Sequence, residues 1–201
     1  VAQDKAFCFI YPENIELMEA MGAEIIPFSP LEDKSLPESI GGLYLCGGYP
    51  ELYKEQLSQN HNLLKAIRNA VADGLPTIAE CGGFMYLSES LDGFPMVGAL
   101  PAKAYRTDKL QRFGYITLTA RQDNLLCKAG ENIPAHEFHY YDSTDCGNGF
   151  IAANAGNARE HQCIHARKTL YAGFPHLYFP AIPAFAESFN RKAAEHVARH
   201  A

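Results

Sequence analysis

Two stretches, GLYLCGGYPE (42–51) and LPTIAECGGF (75–84), share a pattern: a short apolar run stops at a pair of glycines and gives way to helical spacing. A run of that kind, bounded by turn residues, reads as a strand buried on both faces. Two such strands, each followed by a helix, call for a parallel sheet covered by helices. The opening extends the alternation. AFCFIY (Ala6–Tyr11) reads as a buried first strand, and Ile15, Leu17, Met18 and Met21 then fall at helical spacing, with Gly22 where a helix would stop. EIIPF (Glu24–Phe28) reads as a second strand, GLYLC (Gly42–Cys46) as a third and LPTIAE as a fourth. The helical pattern from Glu51 to about Asp73 breaks near Ser58–Asn62.

After Leu91 the character changes. MVGALPAKAYRT, GYITLTARQD, AHEFHYYDST, GFIAAN and CIHARKTLYAGF are short β-like stretches separated by turn residues, and they fit antiparallel strands added to the sheet. A last helix is expected from Ile182 to His200, with Phe185, Phe189, Ala193 and Val197 on one face. The expected fold is therefore α/β: a mainly parallel sheet flanked by helices, with antiparallel strands in the second half. One domain, residues 1–201, accounts for the chain.

Composition narrows the function classes. A net charge of −6 speaks against a nucleic-acid partner. No apolar run approaches the ~20 residues of a membrane span, and the first residues lack the pattern of a secretory signal. The six cysteines form no CxxC and are irregularly spaced, as expected of free thiols in a cytoplasmic protein. Val1-Ala2-Gln3-Asp4 runs almost directly into an apolar stretch without an initiator Met, which suggests a fragment or a processed product.

Chemistry concentrates at Cys81, which sits where the fourth strand would bend into a helix. Ala79-Glu80-Cys81-Gly82-Gly83 resembles a nucleophile elbow with Ala in place of the first Gly. A helix N-terminus favours thiolate. The Gly82 amide, with an amide from the Gly47-Gly48-Tyr49 loop, could form an oxyanion hole at the C-terminal edge of the sheet. A buried cysteine in a tight turn is the plainer alternative. The base must come from eight histidines. His176 in GFPHLYF is one candidate; His136 and His139 in AHEFHYY are its rivals. HQCIH (161–165) alternates potential metal ligands, but no second cluster completes four, so no metal is expected.

These motifs carry a resemblance. YLCGGYPELYKEQLSQN, PTIAECGGFMYLSESL, AHEFHYYDST and GFPHLYF, with the opening AFCFIYPENIELMEAMGAEIIPFSPLED, resemble in order the glutamine amidotransferase domain of cobyrinate (hydrogenobyrinate) a,c-diamide synthases, which are similar to class I, triad-type amidotransferases. The resemblance implies that Cys81 attacks the glutamine carboxamide and that His176 is the catalytic histidine. With the two glycine turns read above, the expected oxyanion- or glutamine-binding residues are Gly47, Gly48, Tyr49 and Gly82. The resemblance also implies an N-terminal synthetase domain of the same protein that uses ATP and Mg²⁺ to amidate a corrinoid at its a and c acetate carboxylates. No GxxxxGK[ST] loop occurs here, so no cofactor is expected in this portion.

Two departures stand out. Cys46 replaces a usual Gly, and Tyr178 stands where many class I enzymes have Glu two residues after the histidine. The third triad member is thus open. Glu80 is adjacent to Cys81, but strand alternation would turn it to the opposite side, where it could anchor the turn through backbone amides. Glu137 could orient a histidine, His139 among them, or only its own loop. Homodimerisation is compatible with the sequence. The rival functions are a nickel-sirohydrochlorin a,c-diamide synthase domain, a non-catalytic docking domain, and a stand-alone cysteine hydrolase.

Overall fold

The computed structural model describes residues 1–154, 156 and 159–200. In chain order the strands are β1 (Leu43–Leu45), β2 (Thr77–Glu80), β3 (Ser88–Leu91), β4 (Phe94–Pro95), β5 (Leu100–Arg106), β6 (Arg112–Ala120), β7 (Asn132–His139), β8 (Tyr141–Ser143), β9 (Phe150–Asn154), β10 (Glu160–Cys163), β11 (His165–Arg167), β12 (Leu170–Gly173) and β13 (His176–Leu177). The helices are α1 (Pro12–Ala20), α2 (Lys54–Gln59), α3 (His61–Ala72), α4 (Gly82–Leu87) and α5 (Pro183–His200).

The sheet that matters for function has the order β1-β2-β12-β11. β2 lies between β1 and β12 and runs parallel to both, with Leu45 opposite Ala79 and Gly173 opposite Glu80. All three strands therefore end at one edge. All four residues of β2 are buried, as are all of β1 and β12, which explains their apolar, non-alternating sequence. A five-stranded antiparallel sheet, β10-β9-β6-β7-β13, and a mixed four-stranded one, β4-β3-β5-β8, come from the second half. The α/β class and the added antiparallel strands follow the sequence expectation. Among the strands named here, the parallel pairings are those of β1, β2 and β12 in the first of these sheets and of β3 with β5 in the last.

The first two expected strands do not form. AFCFIY makes one isolated bridge, Phe9 with Gly47, and EIIPF only one, Phe28 with Ala2. The reason is local. Asp4 Oδ1 accepts from the amides of Ala6 and Phe7, and its Oδ2 from Ser29 Oγ and the Leu31 amide. A side chain that captures neighbouring backbone donors competes with a ladder. Ala6 and Phe7 are still fully buried, whereas Phe9 is exposed. In EIIPF, Pro27 has no N–H to give a ladder.

The helices match more closely. Pro12 opens α1 at a position where its missing N–H costs nothing. The break between α2 and α3 is made by Asn60, whose Nδ2 donates to the carbonyls of Pro30 and Asp33. α5 buries Phe185 and Phe189 as expected, but Val197 is exposed. No helix among the described residues is long and apolar enough to cross a membrane.

Candidate active site

The three parallel strands deliver three loops to one edge. After β1 comes Gly47-Gly48-Tyr49; after β2, Cys81; after β12, Phe174-Pro175-His176. The Cys81 amide donates to Gly173 O at 2.8 Å, which ties the bend after β2 to the end of β12. Cys81 itself has φ 47° and ψ −102°. That conformation is strained for a residue with a Cβ, and such strain is held only where the surroundings enforce it. Here all six residues of α4 are buried, and a Cβ on Gly83 would collide with Leu45 O.

The glycines of the two turns touch. A Cβ on Gly82 would lie 3.0 Å from the Gly48 nitrogen and 2.9 Å from Pro50 Cδ. The Gly48 nitrogen thus lies against Gly82, the residue that follows the thiol, and Gly48 lines one cavity with Cys81. Tyr49 differs: its amide is committed to Ala6 O at 2.9 Å, and it contributes pocket wall rather than an amide donor.

His176 lies in β13, paired with His136 of β7. Three contacts fix its ring. A Cβ on Gly47 would stand only 2.6 Å from its Cε1. Phe9 packs edge-on at 4.7 Å between ring centroids. Glu80 Oε2 is 3.7 Å from Nδ1. The chain beyond it is clamped by Asn14 of α1, which donates to Leu177 O at 2.9 Å and accepts from the Phe179 amide at 2.8 Å.

Glu80 is the residue that sequence alternation misplaced. It is buried, accepts from the Leu177 amide at 3.2 Å, and stands behind His176 rather than on the far side of the sheet. It both anchors a backbone amide and faces the imidazole. Tyr178, by contrast, is turned outward against Tyr11. Burial alone would lower the His176 pKa. The neighbouring Cys81 and Glu80 outweigh it and raise the pKa from its ordinary value near 6.5 to about 10.

His139 also lines this pocket, but its Nδ1 is committed elsewhere. Nδ1 donates to Tyr141 O at 2.7 Å, and Nε2 faces Glu137 Oε1 at 3.9 Å. Its ring stacks on Phe174. Glu137 Oε1 is also 3.6 Å from His161 Nε2. Burial opposes ionisation of Glu137, yet the His139 and His161 rings beside it hold its pKa down at about 2. His161 of the HQCIH motif therefore turns to Glu137, whereas His165 Nε2 donates to Asp145 O at 3.1 Å. Cys46 Sγ donates to Ala2 O, and burial pushes its thiol up to about 12, so this second thiol faces the core.

Cys81, His176, Gly48 and Tyr49 share one cavity of about 280 Å³ with His136, Glu51 and Arg106. Sequence reasoning missed Glu51 and Arg106. Glu51 reads as an ordinary acid in a first helical turn, and Arg106 as a solvated strand end. A larger cavity of about 540 Å³ lies between α1, α5 and the start of β1, and no Cys or His lines it. Thiol chemistry belongs to the smaller one.

Comparison with known proteins identifies the family. A family model described as a CobB/CobQ-like glutamine amidotransferase domain matches residues 1–182. The cobyrinate a,c-diamide synthase of Caldanaerobacter subterraneus subsp. tengcongensis is 42% identical, over 95% of this chain and 45% of its own length. That of Clostridium acetobutylicum is 40% identical, over 89% of this chain and 42% of its own. This chain thus spans less than half the length of these curated relatives. Among solved structures, one titled as a glutamine amidotransferase matches with TM-score 0.62 at 18% identity, covering 96% of this chain and 99% of its own. PurLQS from Thermotoga maritima matches with TM-score 0.61 at 15% identity, covering 99% and 96%. These two likenesses concern the fold alone.

Proposed function

Because the chain belongs to the family of CobB/CobQ-like glutamine amidotransferase domains, we propose that it is the glutaminase half of a cobyrinate a,c-diamide synthase. The observation that carries the reading is the single edge where a strained Cys81, a His176 ring and two glycine amides converge. The Cys81 sulfur, as thiolate opposite the His176 imidazolium, attacks the side-chain carbonyl carbon of glutamine. Negative charge develops on the carbonyl oxygen, where the Gly48 and Gly82 amides can donate; losing one such donor typically costs ~10²–10³ in rate. The imidazolium gives its proton to the departing nitrogen, ammonia leaves, and a thioester remains. His176 then takes a proton from water as it attacks the thioester, and glutamate is released. Glu80 holds the ring and supports its positive charge. His139, whose Nδ1 is committed to Tyr141 O and whose Nε2 faces Glu137, stays outside the proton path.

The ammonia is used elsewhere. In this reading the remainder of the full-length protein binds ATP and Mg²⁺ and activates the a and c carboxylates of cobyrinate for amidation. The support is that the relatives, cobyrinate a,c-diamide synthases, are more than twice as long as the matched region. The test uses the full-length protein. His176→Ala should abolish glutamine-dependent amidation but spare amidation driven by added ammonium salt. Normal glutamine-dependent turnover in that variant would refute the assignment.

A further inference from the structure

The cavity that holds Cys81 and His176 also holds an acid and a base that the hydrolytic steps do not use, Glu51 and Arg106. Their neighbours are already paired. Asp92 accepts from Lys54 Nζ at 2.7 Å and Tyr141 Oη at 2.9 Å through Oδ2, and from the Arg106 amide at 2.9 Å through Oδ1. That cluster consumes the Lys54 charge. Glu51 Oε2 is buried without a hydrogen-bond partner. Among the described residues the Arg106 guanidinium makes no ion pair within 4.0 Å. A buried carboxylate oxygen without a donor is unfavourable, and native structures rarely leave one so without a reason. Burial and the nearby Asp92 charge raise the Glu51 pKa, while its own backbone amide, Arg106 and Lys54 oppose the rise. A cationic ligand group beside Oε2 would relieve this.

We infer that Glu51 and Arg106 form the subsite that reads the amino-acid end of the substrate: Glu51 receives the α-ammonium of glutamine and Arg106 its α-carboxylate. The inference rests on the glutaminase reading and deepens it. A free α-amino acid carries one positive and one negative group on the same carbon, and the cavity wall offers one partner of each sign. At about 280 Å³ the cavity lies near the lower end of the ~300–1,000 Å³ range of small-ligand sites, which suits a single amino acid. The expected consequence is selectivity. Side-chain amides that lack a free α-ammonium, including glutamine within a peptide, should be poor substrates even though their reacting carbonyl is the same.

The test compares two reagents that alkylate sulfur. 6-Diazo-5-oxo-L-norleucine carries the α-ammonium and α-carboxylate and loses dinitrogen from its protonated diazo carbon. Iodoacetamide carries neither group and loses iodide. Rates at Cys81 are read by mass spectrometry of its peptide. Glu51→Gln and Arg106→Gln should each lower the ratio of the first rate to the second by roughly 10-fold or more, as expected for losing a hydrogen bond to a charged group. L-glutamine should protect wild-type Cys81 better than it protects either variant. An unchanged ratio in both variants overturns the subsite, and so does a parallel fall of both rates. Failure of the glutaminase reading has a different signature: Cys81 would then react no faster than exposed Cys8 with either reagent, and the subsite would fall with it.

Discussion

Replacing Glu80 by Gln isolates the group behind the imidazole. Gln keeps the volume and an acceptor for the Leu177 amide but removes a charge 3.7 Å from His176 Nδ1. At that distance and an effective dielectric of ~20, the pair interacts by about 4 kcal/mol, which sets a ceiling of about 3 pKa units. Cys81 remains as a second source of support for the imidazolium, and both carboxylate and ring lose hydration on burial. The expected fall is therefore the lower part of the usual range, about 1–2 units, from about 10 to between about 8 and 9. The sign follows from linkage. A pKa raised on folding gives stability that is complete below the ordinary value of 6.5 and is lost as pH rises through about 10. In the variant the contribution should be smaller and its loss complete at lower pH. The ring of His176 can be titrated by NMR with labelled histidine, and the alkaline limb of Cys81 alkylation should move with it. Glu137→Gln serves as a control, because Glu137 faces His139 and His161 instead. If His176 in Glu80→Gln titrates where it does in the wild type, the carboxylate contributes only its contact with Leu177, and the reasoning fails.

Gly47→Ala should cut glutamine hydrolysis by about 10²-fold with little change in melting temperature, because the new methyl would press on His176 Cε1 from 2.6 Å and displace the ring. A Gly47→Ala protein with wild-type kcat would show that the ring has room to spare. Glu137 has its pKa depressed from 4.5 to about 2, so it should contribute about 3 kcal/mol that is present above pH 4.5 and lost as pH falls toward 2. Urea midpoints measured across that window should slope steeply in the wild type and less in Glu137→Gln; equal slopes would refute the buried network's role.

The legible and the illegible parts of this site divide along one physical line. Features that depend on burial and on glycine could be read directly. The runs LYL and TIAE are apolar because parallel neighbours cover both faces, and each glycine pair marks where one backbone approaches another. That was enough to bring Gly48, Cys81 and Gly82 to one edge, and the family resemblance added His176. What failed were inferences that carried a strand's regularity past its end. AFCFIY has the composition of a strand, but Asp4 takes the amides it would need. Alternation sends Glu80 away from Cys81. It fails as a rule about the site, because His176 does not come from the Cys81 side of β2. It enters from the loop after β12 and is held there by Gly47, Phe9 and, through Leu177, Asn14. Cys81, at a positive φ, lines the same cavity as His176. A carboxylate one residue before the nucleophile can therefore reach the far side of the imidazole that the nucleophile faces. Such an arrangement removes the need for an acid two residues after the histidine, which leaves position 178 free to be a tyrosine packed on Tyr11.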